Sequence, residues 1–181
     1  MLVGPPGVGK GTQAERLREA FDLDHIATGD LLREHRARGT ALGRAAAEHM
    51  DAGRLVPDEL VEAMVEERLR DSPRFLLDGF PRTLAQAEAL TAMLERLGRE
   101  LTAVLLIDAP DEVVIERIAG RQEGRADDDP ETARRRVAVY HEETQPVIDY
   151  YEQRGLLHRI DAARPIEAVF ADARDTLAAL A

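Results

Sequence analysis

The chain opens Met1-Leu2-Val3-Gly4-Pro5-Pro6-Gly7-Val8-Gly9-Lys10-Gly11-Thr12, and the reading of this stretch decides the fold. Two apolar residues lead into a loop with glycine at 4, 7, 9 and 11, and residues 11–21 then carry Ala14, Leu17 and Phe21 at helical spacing. A strand, a glycine turn and a helix in that order make a seat for phosphate. Glycines let successive backbone N–H groups turn inward around an anion, and the helix adds the positive end of its dipole. The spacing is that of G-x-x-x-x-G-K-S/T with one extra glycine, Gly11, between the lysine and the hydroxyl of Thr12. Lys10 would bridge the outer phosphates, and Thr12 would hold Mg²⁺ or a phosphate oxygen. The plainer alternative is a Gly/Pro turn that binds nothing.

Composition weighs against that alternative. Of the 24 basic residues only Lys10 is a lysine; the other 23 are arginine. An arginine-biased coding sequence accounts for the 23 but not for the exception. A guanidinium is planar, bulkier and different in donor geometry, so it cannot replace a compact ammonium.

Outward from the loop, short apolar runs alternate with amphipathic helical patterns. Strands are predicted at 2–3, 25–27, 74–77, 103–107 and 157–160, and further helices at 30–38, 42–52, 58–69, 84–97, 111–118, 131–153 and 166–180. Pro57 suits the first turn of the helix it precedes, and Pro146 should kink or break the long helix near Thr144. The runs lack strict alternation, as expected of strands covered on both faces. This order predicts an α/β fold with a parallel sheet flanked by helices and ligands at the carboxyl ends of the strands.

The 181 residues suit a single domain, and the net charge of −11 argues against nucleic acid or anionic membrane as partners. With no cysteine there is no disulfide framework, thiolate zinc site or cysteine nucleophile. No apolar run approaches the roughly 20 residues of a membrane span, and no leader pattern opens the chain. A cytoplasmic protein acting as a monomer is the expectation.

Two further features carry chemistry. Asp78-Gly79-Phe80-Pro81-Arg82-Thr83 follows the run Phe75-Leu76-Leu77, and a carboxylate at the end of a buried strand beside a phosphate loop suits the water shell of Mg²⁺. Asp78 could equally be a turn or cap residue. Arg82, on the same turn, is placed to fork onto a phosphate. Residues 117–136 hold six arginines and five acids, a net positive charge in an acidic chain. Arg117 and Arg121 share a helix face, Arg125 follows, and Arg136 projects from the second turn of the next helix; a solvated charged surface is the alternative.

Together with Ala27-Thr28-Gly29-Asp30-Leu31-Leu32-Arg33 and 51–60, these segments resemble the adenylate kinase family over nearly the whole chain. The resemblance implies a five-stranded parallel sheet of P-loop NTPase type in one kinase domain, 1–181. It also implies a helical monophosphate-binding arm at 27–56 and a short lid at 121–130. It implies the reaction ATP + AMP ⇌ 2 ADP with Mg²⁺ and without zinc, which keeps the adenine nucleotides in balance. By the same resemblance Gly7, Val8, Gly9, Lys10, Gly11 and Thr12 would hold the ATP phosphates. Arg117 would stack on the ATP adenine, Arg121 would reach its phosphates, and Arg164 would lie near the base. Thr28, Arg33, Arg54, Leu55, Val56, Gly79, Phe80, Pro81, Arg82 and Gln86 would form the AMP site. Arg125 and Arg136 would clamp the phosphates across the transfer, completing a catalytic set of Lys10, Arg82, Arg121, Arg125 and Arg136. Thr12 and Asp78 would serve Mg²⁺ through water. The lid is far shorter than the zinc-binding lid of many bacterial members, in keeping with the missing cysteines.

Gln86 can offer its amide to an adenine edge, although an exposed helix residue is the plainer reading. UMP/CMP kinases resemble this chain but usually carry Asn there and Ala at the place of Thr28, so Thr28 with Gln86 favours AMP. A pyrimidine monophosphate kinase and a catalytically silent nucleotide-binding module are the rival readings. No protein nucleophile is required, because the monophosphate already carries an anionic oxygen.

Overall fold

A computed structural model describes residues 1–120 and 130–180. Five parallel strands form one sheet among the described residues: β1 (Leu2–Val3), β2 (Asp24–Ala27), β3 (Phe75–Asp78), β4 (Val104–Asp108) and β5 (Leu157–Asp161), in the order β2-β3-β1-β4-β5. The helices are α1 (Lys10–Phe21), α2 (Thr28–Ala37), α3 (Ala41–Asp51), α4 (Asp58–Asp71), α5 (Leu84–Arg96), α6 (Asp111–Ala119), α7 (Pro130–Val139), α8 (Gln145–Glu152) and α9 (Ile166–Ala178). The expected α/β architecture with a parallel sheet is the observed one.

The alternation of side chains along the strands builds two cores. Val3, Leu77, Val104 and Leu106 face one cluster, with Val65 and Leu69 of α4, Leu90 of α5 and Ile148 of α8. Leu2, Leu76, Leu105 and Ile107 face the other, with Leu17 of α1, Val114 and Ile118 of α6 and Val169 of α9. Successive residues of one strand thus point to opposite faces, and both faces are covered by helices. Each fully buried Leu or Ile contributes roughly 1.5–3 kcal/mol, so these two layers fix the sheet.

β1 has only two residues yet occupies the centre, pairing Leu2 with Asp78 of β3 and with Leu105 of β4. Its chain leaves through α1 on one face, whereas β3 leaves through α5 on the other. The loops after these neighbouring strands therefore diverge and leave a crevice between them, the expected ligand position in such a sheet.

The long helix expected over 131–153 is present, and the disturbance expected near Thr144 takes the form of a wider turn rather than a break. A π-helical turn, Tyr140–Thr144, joins α7 to α8 within one continuous helical run, and Pro146 lies in the first turn of α8. Proline cannot donate to the carbonyl four residues back and its ring crowds that carbonyl. One wider turn absorbs both effects. Tyr140 and Thr144 of this turn are buried.

Candidate active site

The glycine loop runs from Gly4 to the helix cap at Gly9 (φ 106°), where α1 begins. A Cβ on Gly4 would stand 2.0 Å from the backbone oxygen of Ile107, so only glycine lets the loop leave the centre of the sheet there. The first-turn N–H groups of α1 have no acceptor within the helix and lie beside the crevice. The Lys10 ammonium donates to the carbonyls of Gly4 (2.7 Å) and Pro5 (2.8 Å), which curls the side chain back over its own loop.

The glycine loop, the start of α2 and the segment before α4 border a cleft of about 740 Å³. Its walls include Gly7, Gly9, Lys10, Gly11 and Thr12 on one side, and Thr28, Arg33, Arg54, Leu55 and Val56 on the other. Asp78, Gly79, Pro81, Arg82 and Gln86 close it at the end of β3, and Arg136 of α7 also lines it. Residues from five separate segments thus meet at one place.

Several side chains in that set are held by partners within the fold. The buried Thr28 hydroxyl donates to the carbonyl of Gly79 (2.9 Å), tying the start of α2 to the turn after β3. Gly79 itself has φ 82°, and a Cβ there would lie 2.9 Å from the Thr28 hydroxyl. Arg82 Nε donates to the Gly79 carbonyl (2.7 Å), and the Arg82 carbonyl accepts from Thr144 of the π-helical turn (2.8 Å). Arg33 pairs with Asp30, and Arg54 with Glu48 at 3.1 Å.

Asp78 is the electrostatic centre of the cleft. Burial alone would raise its carboxyl, but the approach of His25 and the charges of Lys10 and Arg82 outweigh that and hold it below the ordinary carboxylate range. His25 Nε2 lies 3.7 Å from Asp78 Oδ2, too far for a hydrogen bond, so the attraction is one of charge. Burial pushes His25 down, yet Asp78, Glu15 and Asp30 together raise it above its usual value.

Four expected residues lie elsewhere among the described ones. Val8 and Phe80 are buried in the cores and do not line the cleft. Arg117 donates to the carbonyls of Val8 (3.0 Å) and Ala162 (2.8 Å), bridging the glycine loop to the segment after β5. Arg164, also outside the cleft walls, pairs with Asp172. Arg121 and Arg125, with the lid expected at 121–130, fall outside the described residues apart from the backbone of Pro130. The reading of Gln86 as an exposed helix residue is overturned: it is 2% exposed and its amide is engaged at both ends.

Sequence reasoning missed His25, Asp58 and Thr144. Only His25 left a signal, as a lone histidine in a strand that runs directly into α2 beside the site. Asp58 reads from sequence as a favourable acid in a helix first turn, and Thr144 as a residue of an unbroken helix.

A sequence model of the family described as adenylate kinase matches residues 2–156. The chain belongs to the adenylate kinase family. It is 53% identical over 180 residues to an adenylate kinase of Deinococcus radiodurans, covering 94% of this chain and 91% of that one. It is 47% identical over 179 residues to an adenylate kinase of Thermus thermophilus, with 98% and 95% covered. The match to an adenylate kinase of Stenotrophomonas maltophilia is 47% over 174 residues, with 93% of each covered. The function is that of an adenylate kinase, a phosphotransferase of P-loop type. No helix among the described residues is long and apolar enough to cross a membrane.

Proposed function

We propose that the cleft binds ATP over the glycine loop and AMP over the arm, and that one phosphoryl group passes directly between them. The protein acts as a monomeric, single-domain kinase in the cytoplasm, with 27–56 as the arm and 121–130 as the lid. The observation that carries this reading is the convergence of Lys10, Thr28, Arg33, Arg82, Gln86 and Arg136 on one cleft. Cations from the loop, the turn after β3 and α7 line the space where two phosphate chains would meet.

In the transfer, an AMP phosphate oxygen attacks the γ-phosphorus of ATP, a new P–O bond forms, and the bond to the β–γ bridging oxygen breaks. Both products are ADP, and no protein group is bonded along the way. Gly7, Gly9, Gly11 and Thr12 present N–H groups to the ATP phosphates, and Val8 seats the loop from its buried side. Lys10, Arg82 and Arg136, with Arg121 and Arg125, stabilise negative charge as it shifts between oxygens. Arg33 and Arg82 hold the AMP phosphate, while Thr28, Gln86 and the backbone of Arg54, Leu55, Val56, Gly79 and Pro81 surround its nucleoside, with Phe80 anchoring that turn from the core. Arg117 and Arg164 flank the ATP base. Holding the two phosphates in line is worth several orders of magnitude by positioning alone.

The residues present fit Mg²⁺. Asp78 is an ionised, acceptor-only carboxylate facing the same cleft as the Thr12 hydroxyl. Among the described residues no group of three or more His, Asp or Glu gathers into a protein cage, which suits an ion held by water and phosphate oxygens. When bound, the ion supplies charge neutralisation to the ATP oxygens, and Asp78 and Thr12 would hold its water shell. Zinc plays no part in this reading.

An ADP-forming assay with ATP paired in turn with AMP, CMP, UMP and GMP tests the proposal. AMP is expected to be strongly preferred; preference for a pyrimidine monophosphate overturns the assignment of the arm, and no turnover with any acceptor overturns the catalytic reading.

A further inference from the structure

Gln86 faces the cleft with an amide whose two ends are chemically different, and the surroundings leave it only one orientation. Its Oε1 accepts from the backbone N–H of Arg82 at 2.7 Å, and its Nε2 donates to Asp58 Oδ1 at 2.6 Å. A backbone N–H can only donate and a carboxylate can only accept. Turning the amide by half a turn would set NH₂ against N–H and carbonyl against carboxylate. Asp58 is itself fixed by the Thr83 hydroxyl, which donates to Oδ2 at 3.0 Å and accepts from the Gln86 N–H at 3.2 Å. These four residues come from the first turn of α4 and the start of α5, and Gln86 is 2% exposed.

The geometry points to Asp58 as a specificity-determining positioning residue, one that polarises Gln86 so that the cleft accepts a 6-aminopurine and rejects a 6-oxopurine. The inference rests on the reading of Gln86 as the residue that meets the monophosphate base. With its orientation locked, Gln86 has one acceptor lone pair left on Oε1 and one N–H left on Nε2. An adenine edge supplies the matching pair, an exocyclic N–H donor and a ring-nitrogen acceptor. Hypoxanthine presents the reverse pair, a carbonyl acceptor and a ring N–H donor. To receive it, Gln86 would have to turn over against both Asp58 and Arg82. Rejection therefore comes from unfavourable contacts built behind the contact residue. Asp58 touches no substrate atom in this scheme.

Inosine monophosphate is the sharpest probe, because it differs from AMP only at that edge. Steady-state kinetics with ATP would compare AMP and inosine monophosphate in the unaltered enzyme and in Asp58→Ala, Asp58→Asn, Gln86→Ala and the double variant Asp58→Ala/Gln86→Ala. In Asp58→Ala the preference for AMP in kcat/KM should fall about tenfold, through a higher KM for AMP and turnover of inosine monophosphate, with kcat for AMP held within about twofold. Asp58→Asn can still turn its carbonyl to Gln86 and should recover part of that preference. Adding Asp58→Ala to Gln86→Ala should change the preference no further, since Asp58 acts only through the amide. An unchanged preference in Asp58→Ala, or an equal loss with and without Gln86, overturns the role of Asp58. A Gln86→Ala variant with undiminished preference instead overturns the reading of Gln86 as the base contact. Thermal melting of each variant separates a folding defect from both, because a loss of helix α4 would lower kcat for every acceptor alike.

Discussion

The two sides of the cleft hold their ligand groups by different means. On the glycine-loop side the holding is local: glycines at 4, 7 and 9 with positive φ shape a run of neighbouring residues, and Lys10 is steadied by the carbonyls of Gly4 and Pro5 in the same loop. On the opposite side, around α2 and the turn after β3, the holding is done by side chains far apart in sequence. Thr28 reaches Gly79 across 51 positions, Thr144 reaches Arg82 across 62, and Gln86 reaches Asp58 across 28. The first kind of site can grip phosphate, which every nucleotide shares. The second kind has enough chemical variety to tell one base from another.

This contrast can be broken from the phosphate side first. Lys10→Ala and Arg82→Ala should each lower turnover on the order of 10³-fold or more, the range for removing one preorganised charge from a phosphoryl transfer. ADP formation checks the rate and circular dichroism should show the fold intact. Gly79→Ala places a Cβ 2.9 Å from the Thr28 hydroxyl at a φ of 82°, and should destabilise the protein by about 1–3 kcal/mol in urea unfolding. A neutral Gly79→Ala would mean α2 is not seated through that turn. Thr144→Val removes the donor to the Arg82 carbonyl and should cost about 1 kcal/mol of stability in the same measurement. It should also raise KM for AMP more than it lowers kcat.

The smallest effect is a titration. Asp78 and Glu15 raise His25 above its ordinary value despite its burial, so its NMR midpoint in magnesium-free protein should lie above 6.5. Asp78→Asn should lower it. A group whose proton is held more tightly in the folded state adds stability that is full below its unfolded value and fades as pH rises through the folded one. Replacing His25 by glutamine should therefore narrow the stability difference between pH 6 and pH 8, in the acid-favouring sense.

The same contrast explains what could be read in advance. The five strands and the glycine loop were legible because each is a local pattern: apolar runs such as 104–107, or glycines spaced around one lysine. Asp78 and Arg82 were legible because they directly follow such a run. The π-helical turn was legible only as a kink or break near Thr144, since a proline marks a disturbance without saying which form it takes, and one extra residue in a turn leaves the apolar period of the flanking helices intact. Asp58 was not, because its carboxylate works on a residue of another helix, and an acid in a first turn already has a sufficient local reason to be there. The arginines divided the same way. Their abundance marked the region, but only the fold separates Arg136, at the cleft, from Arg117, which ties the glycine loop to the segment after β5.

The central claim is that the two nucleotides react directly with each other in one cleft, with the protein supplying position and charge but no bonded intermediate. ATP made chiral at the γ-phosphorus by oxygen isotopes and sulfur tests it most directly. A single in-line transfer to AMP predicts inversion at phosphorus in the ADP formed; retention would mean that a protein group carried the phosphoryl in between, and would contradict the account.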